Sequence, residues 1–380
     1  MTVSAITGAR VFDGERMLEG RAVVVDAGRI VGVPGIEELP AGIARREVEG
    51  LLAPGFIDVQ VNGGGGVLFN DAPTVDGIRA IGAAHRRFGT TGFLPTLITD
   101  AREKMIGAVE AVRAGLEAGL PGLLGVHLEG PFLNPARKGV HDARLMRPVD
   151  EDDIRILTSL GVGRAVVTLA PEVVPLAVIA RLTEAGVIVS AGHTTASYET
   201  LIEARGYGLR GYTHLFNAMP PLASREPGPV GAALDDPLAY SGLIVDLHHV
   251  VPPVLRAALR ARGGERMFLV TDAMPTVGTD SSEFELQGRT IFRREGRLTT
   301  EDGTLAGSDL DMATAVRNAV AHLGVGLEDA LRMASLVPAA FLRLDDELGR
   351  IKPGYRASMV LLDEGLGVRG TWIDGMEAEA

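Results

Sequence analysis

Between residues 52 and 272 the chain alternates short apolar runs with longer amphipathic stretches. Eight runs read as buried strands: Leu52–Gln60, Gly92–Ile98, Leu123–Glu129, Ala165–Ala170, Val187–His193, Gly211–Phe216, Gly242–His249 and Met267–Asp272. Helical signals fall at 74–89, 101–118, 150–160, 172–185, 196–205, 252–263 and 309–322, several opening on Asp, Thr or Pro as helix starts do. Continuous apolar strands in strict alternation with helices predict an α/β fold, and eight of them predict a (β/α)8 TIM barrel. An open, doubly wound sheet is the alternative, but no Gly-x-Gly-x-x-Gly follows the first strand to recommend it.

The two ends have a different texture. Ala5–Phe12, Arg21–Val25 and Arg29–Val33 are short strand-like runs broken at Asp13-Gly14 and Asp26-Ala27-Gly28, and they read as a small antiparallel unit. Ala357–Leu362 and Val368–Ile373 repeat that character. The prediction is a small β-sandwich domain formed from both chain termini, residues 1–52 and 346–380, attached to a catalytic barrel of residues 53–345. A length of 380 residues fits a barrel of roughly 250 residues plus one smaller unit.

Composition narrows the function. With 46% hydrophobic but only 4% aromatic residues, the core must be built from Val, Leu, Ile and Ala. The absence of cysteine excludes thiolate catalysis and sulfur-ligated metal, so any metal has nitrogen and oxygen ligands. A net charge of −12 argues against nucleic acid or a membrane surface as partner, since both select a basic face. The first residues carry no basic-then-apolar leader pattern, and no run of 18 apolar residues occurs, so a cytoplasmic location is expected.

The polar residues collect at the C-terminal ends of the strands, the face on which barrels place their chemistry. Strand one ends in Asp58-Val59-Gln60-Val61-Asn62, strand three in His127-Leu128-Glu129, strand five in His193, strand six in His214, strand seven in Asp246 to His249 and strand eight in Asp272. Two neutral imidazoles and a carboxylate, here Glu129, His193 and His214, are a common shell for a catalytic zinc ion; iron, manganese or cobalt would suit the same donors. Asp272 could serve as general base and then general acid, and His141 could donate to a carbonyl oxygen as charge develops there. Arg225, in a Pro- and Gly-rich loop, could grip a phosphate, with His249 as a second candidate for the anion. Each residue has a plainer reading: a salt bridge from Glu129 to Arg137 or Lys138, a helix cap for Asp272, a surface loop for His141, solvent for Arg225. The convergence of several such groups on one face favours a site.

Over nearly its whole length the chain resembles the N-acetylglucosamine-6-phosphate deacetylases of the amidohydrolase superfamily. The resemblance is carried in order by PGFIDVQVNG (54–63), HLEGPFLNPARKGVHD (127–142), AGHT (191–194), THLFNAM and REPG (213–219 and 225–228), VDLHHV (245–250), LVTDA (269–273) and TLAGS (304–308). It implies a homodimeric, metal-dependent hydrolase that converts a 2-acetamido-sugar 6-phosphate to the amine and acetate. By motif, Glu129, His193 and His214 match metal ligands, Asp272 the acid/base and His141 the carbonyl-side histidine. Val140, Asn217, Ala218, Arg225, His249, Leu305, Ala306 and Gly307 match substrate contacts, with Arg225 serving its own or a neighbouring subunit's site. Many amidohydrolases carry His-x-His where this chain has Gln60-Val61-Asn62, and a carbamylated lysine in strand four, where Ala165–Ala170 has none. Both departures predict one metal ion rather than two. Leu247-His248 replaces a glycine and an apolar residue common in the family. The alternatives are the N-acetylgalactosamine 6-phosphate epimer or another N-acyl amine as substrate and, more remotely, a non-catalytic sugar-phosphate sensor.

Overall fold

The computed structural model describes residues 3–377. Eight parallel strands follow one another around a barrel in chain order: Phe56–Val61, Thr90–Ile98, Gly125–Glu129, Arg164–Leu169, Ile188–Ala191, Gly211–Tyr212, Tyr240–Ile244 and Met267–Val270. The ring closes where the Asp272 N–H donates to the Gln60 carbonyl at 3.0 Å and Val61 bridges Ala273. Seven helices lie where the amphipathic pattern puts them, from Val75–Arg86 to Met312–Leu323. Their starts are chemically marked: Thr74, Ser197 and Asp311 each accept a backbone N–H of the first turn, and Asp150 and Asp153 form a capping box.

Three further helices, Gly228–Asp235, Leu327–Ala334 and Leu336–Phe341, were not anticipated. The first is written in Gly, Pro and Ala, which read as a turn. The last plugs the lower end of the barrel. Its final carbonyls accept from Arg164 and Arg210 at the starts of strands four and six, and Phe341 stacks on Phe268 with ring centroids 5.0 Å apart. With that end sealed, the opposite end is the open mouth.

Several strands are shorter than the apolar runs implied. The expected first strand, Leu52–Gln60, is two: Leu51–Pro54 pairs with Met359–Leu362 in a terminal sheet, and the barrel strand begins after Gly55. Strands five, six and eight stop before His193, His214 and Asp272, because those residues turn into the left-handed region with φ of 50°, 33° and 53°. Strand seven likewise ends at Ile244, and Asp246 to His249 form a turn.

The termini build two sheets. One runs in the order Arg29–Gly32, Val23–Asp26, Ser4–Thr7, Ala44–Glu47; the other has Met376–Glu377, Val368–Ile373, Met359–Leu362, Leu51–Pro54, Arg10–Phe12 and Met17–Leu18. They are mixed, not purely antiparallel, since Ser4–Thr7 pairs parallel with Ala44–Glu47 and Arg10–Phe12 with Leu51–Pro54. The run Ala5–Phe12 is broken at Gly8, whose φ of 93° and close approach to the Val48 carbonyl exclude a side chain. Ile6, Val11, Val23, Ile30, Leu52, Met359, Leu361 and Trp372 form the core between the sheets, so neither end of the chain can bury its apolar face without the other.

A four-stranded antiparallel flap, Glu283–Leu286, Arg289–Arg294, Arg297–Thr299 and Leu305–Ser308, leaves the barrel after strand eight. Leu286, Ile291, Leu298 and Ala306 pack against Leu68, Ile98, Val140 and Met274 at the mouth.

Because Leu52 is 1% exposed, Leu52→Ala should destabilise the terminal sheets by about 2–5 kcal/mol. Trp372 is the only tryptophan and lies in that core, so its fluorescence reports the transition directly. The expected result is a lower denaturant midpoint; an unchanged midpoint would show that this shared core does not hold the ends together.

Candidate active site

The strand ends place Glu129, His193 and His214 together at the bottom of the mouth. Oε1 of Glu129 is 3.0 Å from Nε2 of each histidine, and the two Nε2 atoms are 3.1 Å apart. This is the one such group of potential metal ligands among the described residues, and all three are buried. Nδ1 of His193 donates to the Arg137 carbonyl at 2.7 Å, which leaves Nε2 of the neutral ring as a bare lone pair. Three electron-rich atoms at such separations repel one another unless positive charge sits among them. The donor set therefore fits a divalent cation, and the carbonyl partner of His193 is the kind that orients metal-binding imidazoles.

Burial opposes a charge on Glu129, but the adjacent His193 and His214, once either carries a proton facing it, outweigh that and hold the carboxyl well below its ordinary range. Burial likewise works against protonation of His214, and the adjacent Glu129 reverses the balance and raises its pKa. The cluster thus attracts positive charge from either direction.

Asp272 stands beside it in a different environment. Burial, followed by the negative charge of Glu129, pushes its pKa up to about 6. Its Oδ1 accepts from Asn62 Nδ2 at 2.6 Å and from Gln60 Nε2 at 3.2 Å, and Gln60 also donates to Oε2 of Glu129 at 3.1 Å. The two amides are thus spent as donors to carboxylates.

His141 comes in from the loop after strand three. Its Nε2 is 3.9 Å from Glu129 Oε1, and burial, then the neighbouring His193, keeps its pKa well below that of a free histidine. The Thr99 N–H approaches Nδ1 at 3.4 Å and the Thr99 hydroxyl lies 2.8 Å away. A backbone N–H can only donate, so Nδ1 accepts, and the neutral ring carries its proton on Nε2, facing the site.

The cavity above these groups encloses about 190 Å³. Asn62, Val140, His141, Asn217, Ala218, His249, Asp272, Leu305 and Gly307 line it together with the three candidate ligands. Gly307, at φ 64°, passes so close to Met274 and the Asp272 carbonyl that a Cβ would lie 2.6 Å from the Met274 side chain. His249 is fixed by Asp246, whose Oδ2 accepts from Nδ1 at 2.6 Å. Ala306 points away into the flap core. Arg225 does not reach the cavity of its own chain; it is exposed on the loop before helix Gly228–Asp235. A larger cavity, about 470 Å³ among Leu259, Met333, Leu336 and Arg350, contains none of the strand-end groups.

Sequence reasoning missed the layer beneath. Thr96, His127, Thr168, Thr213 and Ser190 form one hydrogen-bonded chain across strands two to six, with links of 3.3, 2.7, 2.6 and 2.8 Å. Burial lowers the pKa of His127 to about 4, so it belongs to this layer as a neutral ring. Asp58 accepts the Thr271 hydroxyl at 2.5 Å across the closing seam, and burial pushes its pKa up to about 7. Glu172 was also missed: it accepts from the Thr195 N–H, the Thr194 hydroxyl and Asn134, and so holds the loop that carries His193. The only trace of the layer in the sequence is a lone hydroxyl, acid or imidazole inside or just after these apolar strands.

The chain matches two known families, which together span residues 4–377. Residues 51–377 match the amidohydrolase family, and residues 4–52 match the NagA composite domain. The chain belongs to the amidohydrolase family. This amidohydrolase is 42% identical to an N-acetylgalactosamine-6-phosphate deacetylase of Shewanella sp. (strain ANA-3), covering 97% of this chain and 94% of that one. It is 34% identical to an N-acetylglucosamine-6-phosphate deacetylase of Haemophilus influenzae, covering 98% of each. The crystal structure of N-acetylglucosamine-6-phosphate deacetylase from Pasteurella multocida superposes with a TM-score of 0.96 over 100% of both chains, at 34% identity.

Metal titration of the purified, chelator-treated protein should give about one bound Zn²⁺ per chain. Glu129→Gln should abolish that stoichiometric binding, whereas Asp272→Asn should keep it. Two equivalents in the unaltered chain would overturn the reading of Gln60 and Asn62 as donors that fill a second position.

Proposed function

We propose that this amidohydrolase is a deacetylase that hydrolyses the acetamide of N-acetylglucosamine 6-phosphate to glucosamine 6-phosphate and acetate, with one zinc ion per subunit. The observation that carries this reading is the placement of an ionisable carboxylate, Asp272, and a neutral N–H donor, His141, in one cavity beside the Glu129, His193 and His214 cluster. When bound, the cation supplies Lewis acidity and brings the pKa of a water toward about 7.

The chain's own groups then account for the rest of the reaction. His141 donates from Nε2–H to the acetamide oxygen as negative charge develops on it, the step at which a fixed donor gains most. Asp272 accepts a proton from the attacking water while the new C–O bond forms, then returns it to the amide nitrogen as the C–N bond breaks. Atoms balance: the water oxygen and its second proton leave in acetic acid, the returned proton completes the neutral amine, and the acid then ionises to acetate as the amine takes up a proton in solution. Leu305, Gly307 and Val140 bound the sugar ring. Asn217, Ala218 and His249 lie at the remaining wall of the cavity and are assigned to the phosphate end. Arg225 is assigned to the phosphate of a neighbouring subunit in a homodimer, a reading supported by its exposure and its distance from its own cavity.

A second reading has its own support, since the relative that is 42% identical is named for the galactosamine epimer. The two substrates differ only at C4 of the sugar. Comparing kcat/KM for N-acetylglucosamine 6-phosphate and N-acetylgalactosamine 6-phosphate decides between them, and comparing either with its phosphate-free form tests the phosphate itself. A cytoplasmic location agrees with a phosphorylated substrate.

Acetate release from N-acetylglucosamine 6-phosphate is the direct assay. Asp272→Asn should lose about 100-fold or more in kcat. Because Asp272 must be ionised to accept a proton, activity should fall as pH drops, with an apparent pKa at or below the value of about 6 set by burial and Glu129; positive charge on the ligands lowers it further. Undiminished turnover by the Asn variant would remove Asp272 from the mechanism.

A further inference from the structure

The turn after strand seven has two faces, and the chemistry proposed above uses only one. Asp246 Oδ1 accepts the N–H groups of His248 and His249, each at 2.9 Å, and Oδ2 takes Nδ1 of His249. Leu247, inside that knot, is held at φ 69°, a conformation that glycine adopts freely and leucine only at a cost. The outcome is that adjacent histidines serve different neighbours. His249 lines the substrate cavity, whereas Nδ1 of His248 accepts the Nε–H of Arg297 at 3.1 Å.

Arg297 lies at the tip of the flap hairpin, just after the Glu295-Gly296 turn with φ of 52° and 76°. A Cβ on Gly296 would lie 3.5 Å from Nε2 of His248, so the tip rests on that ring as well as bonding to it. Across the sheet Arg297 pairs with Ser308, the neighbour of Gly307, and Leu305 and Gly307 line the cavity. The His248–Arg297 contact is therefore the link between two walls of the cavity that come from elements about 50 residues apart in the chain. At the other edge of the mouth the flap is tied separately, by Gln287 to the Thr99 carbonyl at 2.7 Å and by Arg289 to the Val140 carbonyl.

We propose that the His248–Arg297 hydrogen bond is a clasp that holds the flap hairpin against the His249 turn, making His248 and Arg297 positioning residues for the sugar phosphate. The clasp rests on the deacetylase reading for the identity of the ligand. It acts on binding rather than on bond breaking, because neither side chain reaches Glu129, Asp272 or His141. It also explains why a side chain is tolerated in the left-handed position of Leu247: the knot around Asp246 aims His248 outward and His249 inward.

The test uses the zinc-loaded full chain with His248→Leu, Arg297→Ala and the double variant. Each single change should raise KM for N-acetylglucosamine 6-phosphate about fivefold, the worth of one hydrogen bond, with kcat within about twofold of the parent. The double variant should be no worse than either single one, as partners in one contact are not additive. His248→Asn, whose side-chain oxygen can accept from Arg297, should restore most of the loss. Amide exchange at 294–299 in the unliganded protein should quicken in His248→Leu and Arg297→Ala alike. Unchanged KM, additive losses, or an effect of Arg297→Ala that His248→Leu does not share would overturn the clasp. Exchange reads the clasp without turnover. Quickened exchange in a protein that releases no acetate would thus sink the deacetylase reading alone, and normal acetate release with unaltered exchange and KM would sink the clasp alone.

Discussion

Three potential metal-ligand atoms aimed at one point are the constraint on which the rest of this structure depends. Oε1 of Glu129 and Nε2 of His193 and His214 lie 3.0–3.1 Å apart. Such an arrangement is unfavourable without positive charge, and the fold must hold it open. It does so by making both histidines leave their strands in a non-repetitive conformation: His193 and His214, like the neighbouring Asp272, have positive φ, a strain of about 1–2 kcal/mol per residue. The barrel below supplies the restraint. Its hydroxyl layer, from Thr96 through His127 and Thr168 to Thr213 and Ser190, ties neighbouring strands at the level just beneath the cluster. The sealed lower end, with Phe341 under the strand starts, leaves the upper mouth as the only place for such polar groups to meet water or ligand.

The two buried carboxylates in the mouth are driven apart by their surroundings. Glu129 is flanked by imidazoles and stays ionised; Asp272, facing Glu129's charge, is raised to about 6 and so sits near the range in which a group can both take and return a proton. Gln60 makes this division structural. One amide nitrogen donates to Glu129 at 3.1 Å and to Asp272 at 3.2 Å, so a neutral dipole spans the gap between the acids. In a two-metal arrangement a cation would occupy such a gap. Here the gap is bridged by N–H groups, which repel a cation, and this supports the proposal of a single metal.

Most of the architecture was legible in the sequence because its signals are local. Eight apolar runs in alternation with capped helices specify a barrel, and the polar residue at the end of each run identifies the working face. What was not legible depends on contacts between segments distant in the chain. The pairing of Leu51–Pro54 with Met359–Leu362 reassigns half of an apolar run that looks continuous, and nothing local distinguishes its two halves except Gly55. The parallel pairing of Ser4–Thr7 with Ala44–Glu47 is invisible to a strand pattern that has no direction. The Thr and Ser layer was missed for a related reason: single hydroxyls inside apolar strands carry no signal until the barrel brings five strands into register. Glu172 was missed because its three partners come from two other loops.

The cavity's own charge bears on the homodimer proposed above. Among the described residues lining it there is no lysine or arginine; the basic character comes from imidazoles, and His249 already shares its Nδ1 proton with Asp246. The whole chain carries −12 net charge, so the surrounding field does not favour an anion either. A sugar phosphate bound on these groups alone would bring about two negative charges to a place with little to balance them. Arg225, by contrast, is exposed at the end of a well-braced loop: Glu226 accepts the N–H groups of Gly228 and Tyr198, and its carbonyl takes the Ala223 N–H. The exposed Arg225 guanidinium has no hydrogen-bonding partner among the described residues, and a phosphate in the mouth of an adjacent subunit is the partner that the homodimer proposal assigns to it.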